Sequence, residues 1–186
     1  MTRSDTIWQA ITTDWFKEPV IDPPQFRFGL SNSELLFQAE RSSPPHCTME
    51  HSQGKFVEGL WEADVAEYFL CEQGSERYLE VNLAPTGAWW WCLFDGYRTR
   101  AKTQPLPPPS VKITSVLTQQ GWKAAIALPL IALPITIDPS APTRFNVTFA
   151  LTKPRRQFLT EAPLVKATPD FHLVDQLEPR TFISLS

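Results

Sequence analysis

Apolar and polar positions alternate in short runs along this 186-residue chain, while few long helical patterns occur. In Tyr78-Leu79-Glu80-Val81-Asn82-Leu83 the residues Leu79, Val81 and Leu83 point one way, and Tyr78, Glu80 and Asn82 the other. Gln25 to Leu30 turns Phe26, Phe28 and Leu30 inward, and Thr143 to Leu151 does the same with Phe145, Val147, Phe149 and Leu151. Leu60 to Phe94 reads as three consecutive strands, Leu60–Leu70, Tyr78–Ala84 and Ala88–Phe94. Their connections carry turn residues, Gly74 in one and Pro85-Thr86-Gly87 in the other. Ser31-Asn32-Ser33 is a turn into a return strand, Glu34–Glu40. A hairpin joins Val111–Leu117 to Gly121–Leu128, and Arg180–Leu185 forms a last strand. Ile7 to Phe16 fits one face of a short helix or an edge strand. About ten short strands without a βαβ unit predict an all-β protein, a two-sheet antiparallel β-sandwich of jelly-roll type with few short helices. Residues 1–20 are expected as an N-terminal extension packed on a single domain formed by residues 21–186.

Register decides which side chains share a face. If Glu72 faces Arg77, Glu67 lies opposite Asn82 and diagonal to Glu80. If Ala84 faces Trp89 across the second turn, Trp91 falls opposite Asn82. One face then gathers Tyr78, Glu67, Glu80, Asn82, Trp89 and Trp91, with Trp90 on the opposite face and Trp61 in the core. Two neighbouring carboxylates need a partner: Arg98 and Arg100, a cation, or ligand hydroxyls. Arg98 and Arg100 share a face by the strand period, either as a fork toward those acids or a ligand, or as edge charge.

Composition narrows the function classes. A formal net charge of −3 carries no electrostatic footprint for nucleic acid or an anionic membrane. The longest apolar patch, Ala124 to Ile137, is broken by Pro129 and Pro134, so no transmembrane helix is expected. Met1 to Thr6 has no apolar signal core, so the three cysteines are expected as reduced thiols and the address as cytoplasmic. His46, Cys47, Met49 and His51 are candidate metal or haem ligands, but no second ligand pair accompanies them, and a solvated loop accounts for them equally. Gln104 to Pro109 reads as a stiff crossover between sheets.

Leu60-Trp61-Glu62-Ala63-Asp64-Val65-Ala66-Glu67-Tyr68-Phe69 resembles the Trp–Asp–Val–Glu–Phe strand of family-9 carbohydrate-binding modules and the wider DOMON-like group. Tyr78–Asn82 before Pro85-Thr86-Gly87 is similar to that group's next strand, and Phe145-Asn146 and Pro169-Asp170-Phe171-His172 to its C-terminal motifs. The resemblance covers roughly residues 20 to 186. It implies a jelly-roll sandwich that binds sugar chain ends between paired Trp rings, sometimes with structural calcium, or haem in other members. Trp89-Trp90-Trp91 departs from the pattern of a sandwiching pair.

Sugars present apolar C–H faces and hydroxyl rims, so flat rings flanked by carboxylates, amides and guanidinium groups suit them. Trp89, Trp91, Glu67, Glu80, Asn82 and Arg98 supply that set. The expected function is non-catalytic recognition of a saccharide or other small molecule. The alternatives are a haem or metal binder using His172 or His51 with Met49, and a protein-interaction domain. An enzyme with Glu67 and Glu80 as acid and base lacks supporting groups. The Trp rings as core, and the two acids as a buried network closed by Arg98, compete with the site reading.

Overall fold

The computed structural model describes residues 8–31, 33–48 and 50–184. The expectations for Met1–Thr6, Ile7, Asn32, Met49 and Leu185 lie outside those residues. Two six-stranded sheets form a sandwich. The first contains β1 (Gln9–Ala10), β2 (Gln25–Ser31), β3 (Glu34–Arg41), β8 (Lys112–Thr118), β9 (Gly121–Pro129) and β12 (Ile183–Ser184). Its order is β1-β2-β3-β9-β8, and β12 runs parallel to β2 where every other pairing is antiparallel. The second contains β4 (Val65–Cys71), β5 (Tyr78–Leu83), β6 (Trp89–Gly96), β7 (Thr99–Arg100), β10 (Phe145–Leu151) and β11 (Gln157–Thr160), in the order β11-β10-β4-β5-β6-β7.

The inner faces meet in an aromatic core. Phe28 lies 4.9 Å from both Tyr68 and Phe145, and Phe37 lies 5.2 Å from Tyr68, ring centre to ring centre. Such tilted and edge-on pairs are the favoured arrangements for packed rings. The second sheet is buried on its outer face as well. Leu60, Phe69, Tyr78, Trp90, Phe94, Leu164 and Phe171 form a second apolar cluster there. This double burial explains why β4 and β10 are buried at every position.

Two expectations of strand layout change. Leu60–Glu62 is a 3₁₀ turn, so the central strand begins only at Val65. The second hairpin closes one residue tighter than expected. Ala84 accepts from Gly87 N–H at 2.9 Å and donates to Ala88 O at 2.9 Å. Leu83 therefore faces Trp89, and Asn82 faces Trp90. Gly87 adopts φ 80°, the left-handed conformation that a three-residue hairpin loop places at its last position. A one-residue slip reverses every side chain of β6. Trp89 and Trp91 thus enter the core between the sheets, 5.5 Å apart edge to face, and the Trp91 indole N–H donates to Pro105 O at 3.0 Å. The first hairpin closes as expected: Glu72 N–H donates to Arg77 O at 2.9 Å, and Glu67 faces Asn82.

Candidate functional site

Alternation along five strands brings polar groups and a tryptophan into rows on the outer face of the second sheet. One row runs Thr160, Thr148, Glu67, Asn82, Trp90 across β11, β10, β4, β5 and β6. The next runs Asn146, Phe69, Glu80, Cys92. Above them opens a cleft of about 350 Å³, floored by Glu67, Phe69, Glu80 and Ala150. Trp61 and Trp90 form one wall, with ring centres 5.2 Å apart and planes 59° off parallel. Arg98, Arg100, Arg156, Phe158 and the segment Pro169–His172 complete the rim. The volume falls in the range of small-molecule sites, about 300–1,000 Å³.

Of the residues expected at a site, the structure brings Glu67, Glu80 and Arg98 to this cleft and sets Asn82 beneath it. Trp89 and Trp91 lie on the other side of the sheet, and Trp90 takes the place expected for them. Trp61, expected in the core, is half-buried on the cleft wall. Sequence reasoning passed over Trp90, Arg156 and Phe158 as site residues. The motif Pro169-Asp170-Phe171-His172 was a usable signal, because it folds back as the rim.

Asp170 anchors that rim. It is buried, and its Oδ1 accepts from Arg98 Nη2 at 2.8 Å and from His172 N–H at 3.2 Å. Its Oδ2 accepts from Lys166 Nζ at 2.6 Å and from the Tyr97 hydroxyl at 2.5 Å. Burial alone would raise this carboxyl. The donors from Lys166, Tyr97, Arg98 and the His172 backbone outweigh it and hold the group well below the usual carboxylate range. Arg98 is therefore committed to Asp170 rather than to Glu67 or Glu80. Arg100 is likewise paired, with Glu58 at 2.5 Å, and its guanidinium lies 5.2 Å over the Trp90 ring.

The two floor acids differ in surroundings. Glu80 Oε1 accepts from Asn82 Nδ2 at 2.9 Å, and its other oxygen lies 3.9 Å from His172 Nε2. Glu67 Oε2 accepts from the Thr148 hydroxyl at 3.1 Å. Burial raises both carboxyls above the ordinary value, and the charge of Glu80 raises Glu67 further. The pull downward from Asn82, Arg100 and Arg98 keeps Glu80 the more acidic of the pair. His172 is pushed down to about 4 by burial and by Arg98, so its imidazole is neutral near pH 7. The Tyr78 hydroxyl accepts from Arg98 N–H at 3.2 Å and lies 2.7 Å from His172 Nδ1. With that hydroxyl donating to Nδ1, the imidazole proton resides on Nε2 and faces Glu80. The cleft thus offers flat rings, a fixed N–H donor, a charged acceptor and guanidinium donors within one concave surface.

Among the described residues, no three His, Cys, Asp or Glu side chains are grouped so as to hold a metal ion. His46, Cys47 and His51 line a separate cleft with Asp64. There the Asp64 carboxylate accepts from His46 N–H at 3.0 Å and from Thr152 N–H and hydroxyl at 2.7 Å each.

No family model matches the chain. A stretch of 140 residues is 30% identical to the rat (Rattus norvegicus) UPF0462 protein C4orf33 homolog, covering 71% of this chain and 65% of that protein, just under two thirds of its length. Among solved structures, a Bacteroides uniformis ATCC 8492 protein proposed to bind carbohydrate superposes with a TM-score of 0.71 at 17% identity, over 94% of this chain and 85% of that one. A family-9 carbohydrate-binding module of Caldicellulosiruptor kristjanssonii, solved with glucose, superposes at 0.60 and 12% identity, over 98% and 86% of the two chains. A family-9 module from the same organism, solved with cellotriose, gives 0.50 at 14% identity over 84% and 72%. The sandwich described here is therefore the fold of the family-9 carbohydrate-binding modules.

Proposed function

We propose that the protein is a non-catalytic saccharide-binding module whose cleft on the outer face of the second sheet takes one sugar residue. The carrying observation is the pairing of Trp61 with Trp90 beside two buried carboxylates of unequal acidity. Indole faces cover the C–H surface of a sugar ring, while Glu67, Glu80, Arg98, Arg100 and the His172 Nε2–H meet its hydroxyls. That modules of the same fold have been solved with glucose and cellotriose supports this reading. A hydroxyl-rich ligand also suits polar groups that are already positioned and hydrogen-bonded, because little ordering is left to occur on binding.

Calorimetric titration with neutral and acidic mono- and oligosaccharides tests it. Binding by the wild type and its loss in Trp61→Ala, with the melting midpoint nearly unchanged because Trp61 is only half-buried, are the expected results. Undiminished binding by Trp61→Ala, or heat changes with no saccharide at all, would refute the proposal.

A further inference from the structure

We infer that the ligand of this cleft is an anionic saccharide, a sugar bearing a carboxylate or phosphate ester that Arg156 receives. The inference rests on the saccharide reading above and narrows its ligand class. Three guanidinium groups border the cleft, and two are neutralised, Arg98 by Asp170 and Arg100 by Glu58. Arg156 has no carboxylate partner among the described residues. It donates to the carbonyl oxygens of Trp61 and of Ala63, the latter at 3.4 Å, and its guanidinium stands 5.1 Å from the Phe158 ring centre. Carbonyls and a ring face orient a guanidinium without cancelling its charge.

Glu67 on the floor does not cancel it either, and strand register says why. Glu67 lies directly across from Asn82, whose Nδ2 is committed to Glu80. Asn82 is fully buried, and its Oδ1 has no hydrogen-bond partner. A carboxylate facing that oxygen would add repulsion to an unsatisfied acceptor, whereas a carboxylic acid can donate to it. A protonated Glu67 would join the bond it accepts from the Thr148 hydroxyl to the one that Asn82 Nδ2 donates to ionised Glu80. The upward shift of Glu67 agrees with this arrangement, burial and the charge of Glu80 outweighing the downward pull of the Thr148 hydroxyl and of Arg156. The negative charge of the floor is thereby confined to Glu80, one strand further along and next to Arg98 and Arg100. The end at Arg156, Phe158 and Ala150 is left cationic, and the planar fork of an arginine matches a carboxylate or phosphate with two parallel bonds.

The test is calorimetric titration of the intact chain with matched ligands: glucose against glucuronate and glucose 6-phosphate, galactose against galacturonate, and inorganic phosphate alone. At least one acidic sugar is expected to bind about tenfold or more tighter than its neutral parent at low salt, with the margin shrinking as salt rises. The glucuronate and galacturonate arms against the phosphate ester arm identify the acidic group. Arg156→Gln should abolish the margin, lowering the affinity for the acidic sugar more than that for its neutral parent, and Arg156→Lys should restore part of it. Neutral sugars binding as tightly as acidic ones would overturn this inference and leave the saccharide reading standing. Retention of the margin in Arg156→Gln would overturn the assignment to Arg156. Inorganic phosphate binding as tightly as glucose 6-phosphate, with no margin for either uronate over its neutral parent, would overturn this inference, and no sugar binding at all would overturn both readings.

Discussion

Replacing Trp91 with alanine separates a core tryptophan from a ligand-binding one. Trp91 is 2% exposed, packs edge to face on Trp89, and donates its indole N–H to Pro105 O at 3.0 Å. Its removal leaves a cavity between the sheets that β5 and β9, both hydrogen-bonded in place, cannot readily collapse into. Truncation of a buried Phe or Trp to Ala costs about 3–5 kcal/mol. At roughly 2–4 °C per kcal/mol for a domain of this size, the midpoint should fall by about 6–20 °C. The lost donor to Pro105 also frees the Gln104–Pro109 crossover at one of its anchors, which favours the upper part of that range. Thermal unfolding followed by circular dichroism reads the shift, and calorimetry at a temperature well below the lowered midpoint reads binding. The expected variant is less stable yet still binds saccharide. A variant with an unchanged midpoint and no binding would show that the Trp91 ring faces ligand, and the register assigned to β6 would then be wrong.

Two variants probe the titrating groups of the cleft. Glu67 has its carboxyl raised from 4.5 to about 8 by burial and by Glu80, so the folded chain holds a proton that the unfolded chain has already released. The associated stability is complete below pH 4.5 and is lost as pH rises through the folded value. Glu67→Gln, which keeps the neutral shape, should therefore gain in melting midpoint relative to wild type as pH is raised from 5 to 8, and parallel curves would contradict the charge assignment. His172 shifts the other way, from 6.5 to about 4, so its contribution is lost as pH falls from 6.5 through 4. His172→Gln should flatten the acid limb of the stability curve over that window, and an unchanged limb would count against a buried neutral imidazole.

The sandwich and much of its strand layout were legible in the sequence because alternation in β2, β5 and β10 is strong and its turns carry Gly and Pro. The pairing of Glu67 with Asn82 was legible too, since the loop from Glu72 to Arg77 leaves one natural closure. The face of the three consecutive tryptophans was not. Trp89, Trp91 and Leu93 alternate with Trp90, Cys92 and Phe94, and both sets are apolar because both faces of β6 are covered. Periodicity cannot choose between two buried faces, so the choice falls to the turn. The rim was illegible for another reason. Arg156 and His172 reach the cleft through loops distant in sequence from β4 and β5, and no local pattern encodes that return.

The tightness of the second hairpin therefore does more than place a tryptophan. With Ala84 and Ala88 closing the loop around Gly87, Asn82 faces Trp90 on one side and Glu67 on the other. A four-residue loop would put Trp89 and Trp91 over the floor acids and send Trp90 into the core, leaving Trp61 without the ring it packs against. It would also remove Trp90 from beneath Arg100, and the Arg100–Glu58 pair would lose the surface that steadies it. Single-residue insertion after Gly87 is thus a stronger perturbation of the cleft than any one substitution on its rim. It inverts the β6 face of the cleft while leaving the acids of β4 and β5 in position, so ring recognition and acid recognition would be uncoupled in one chain.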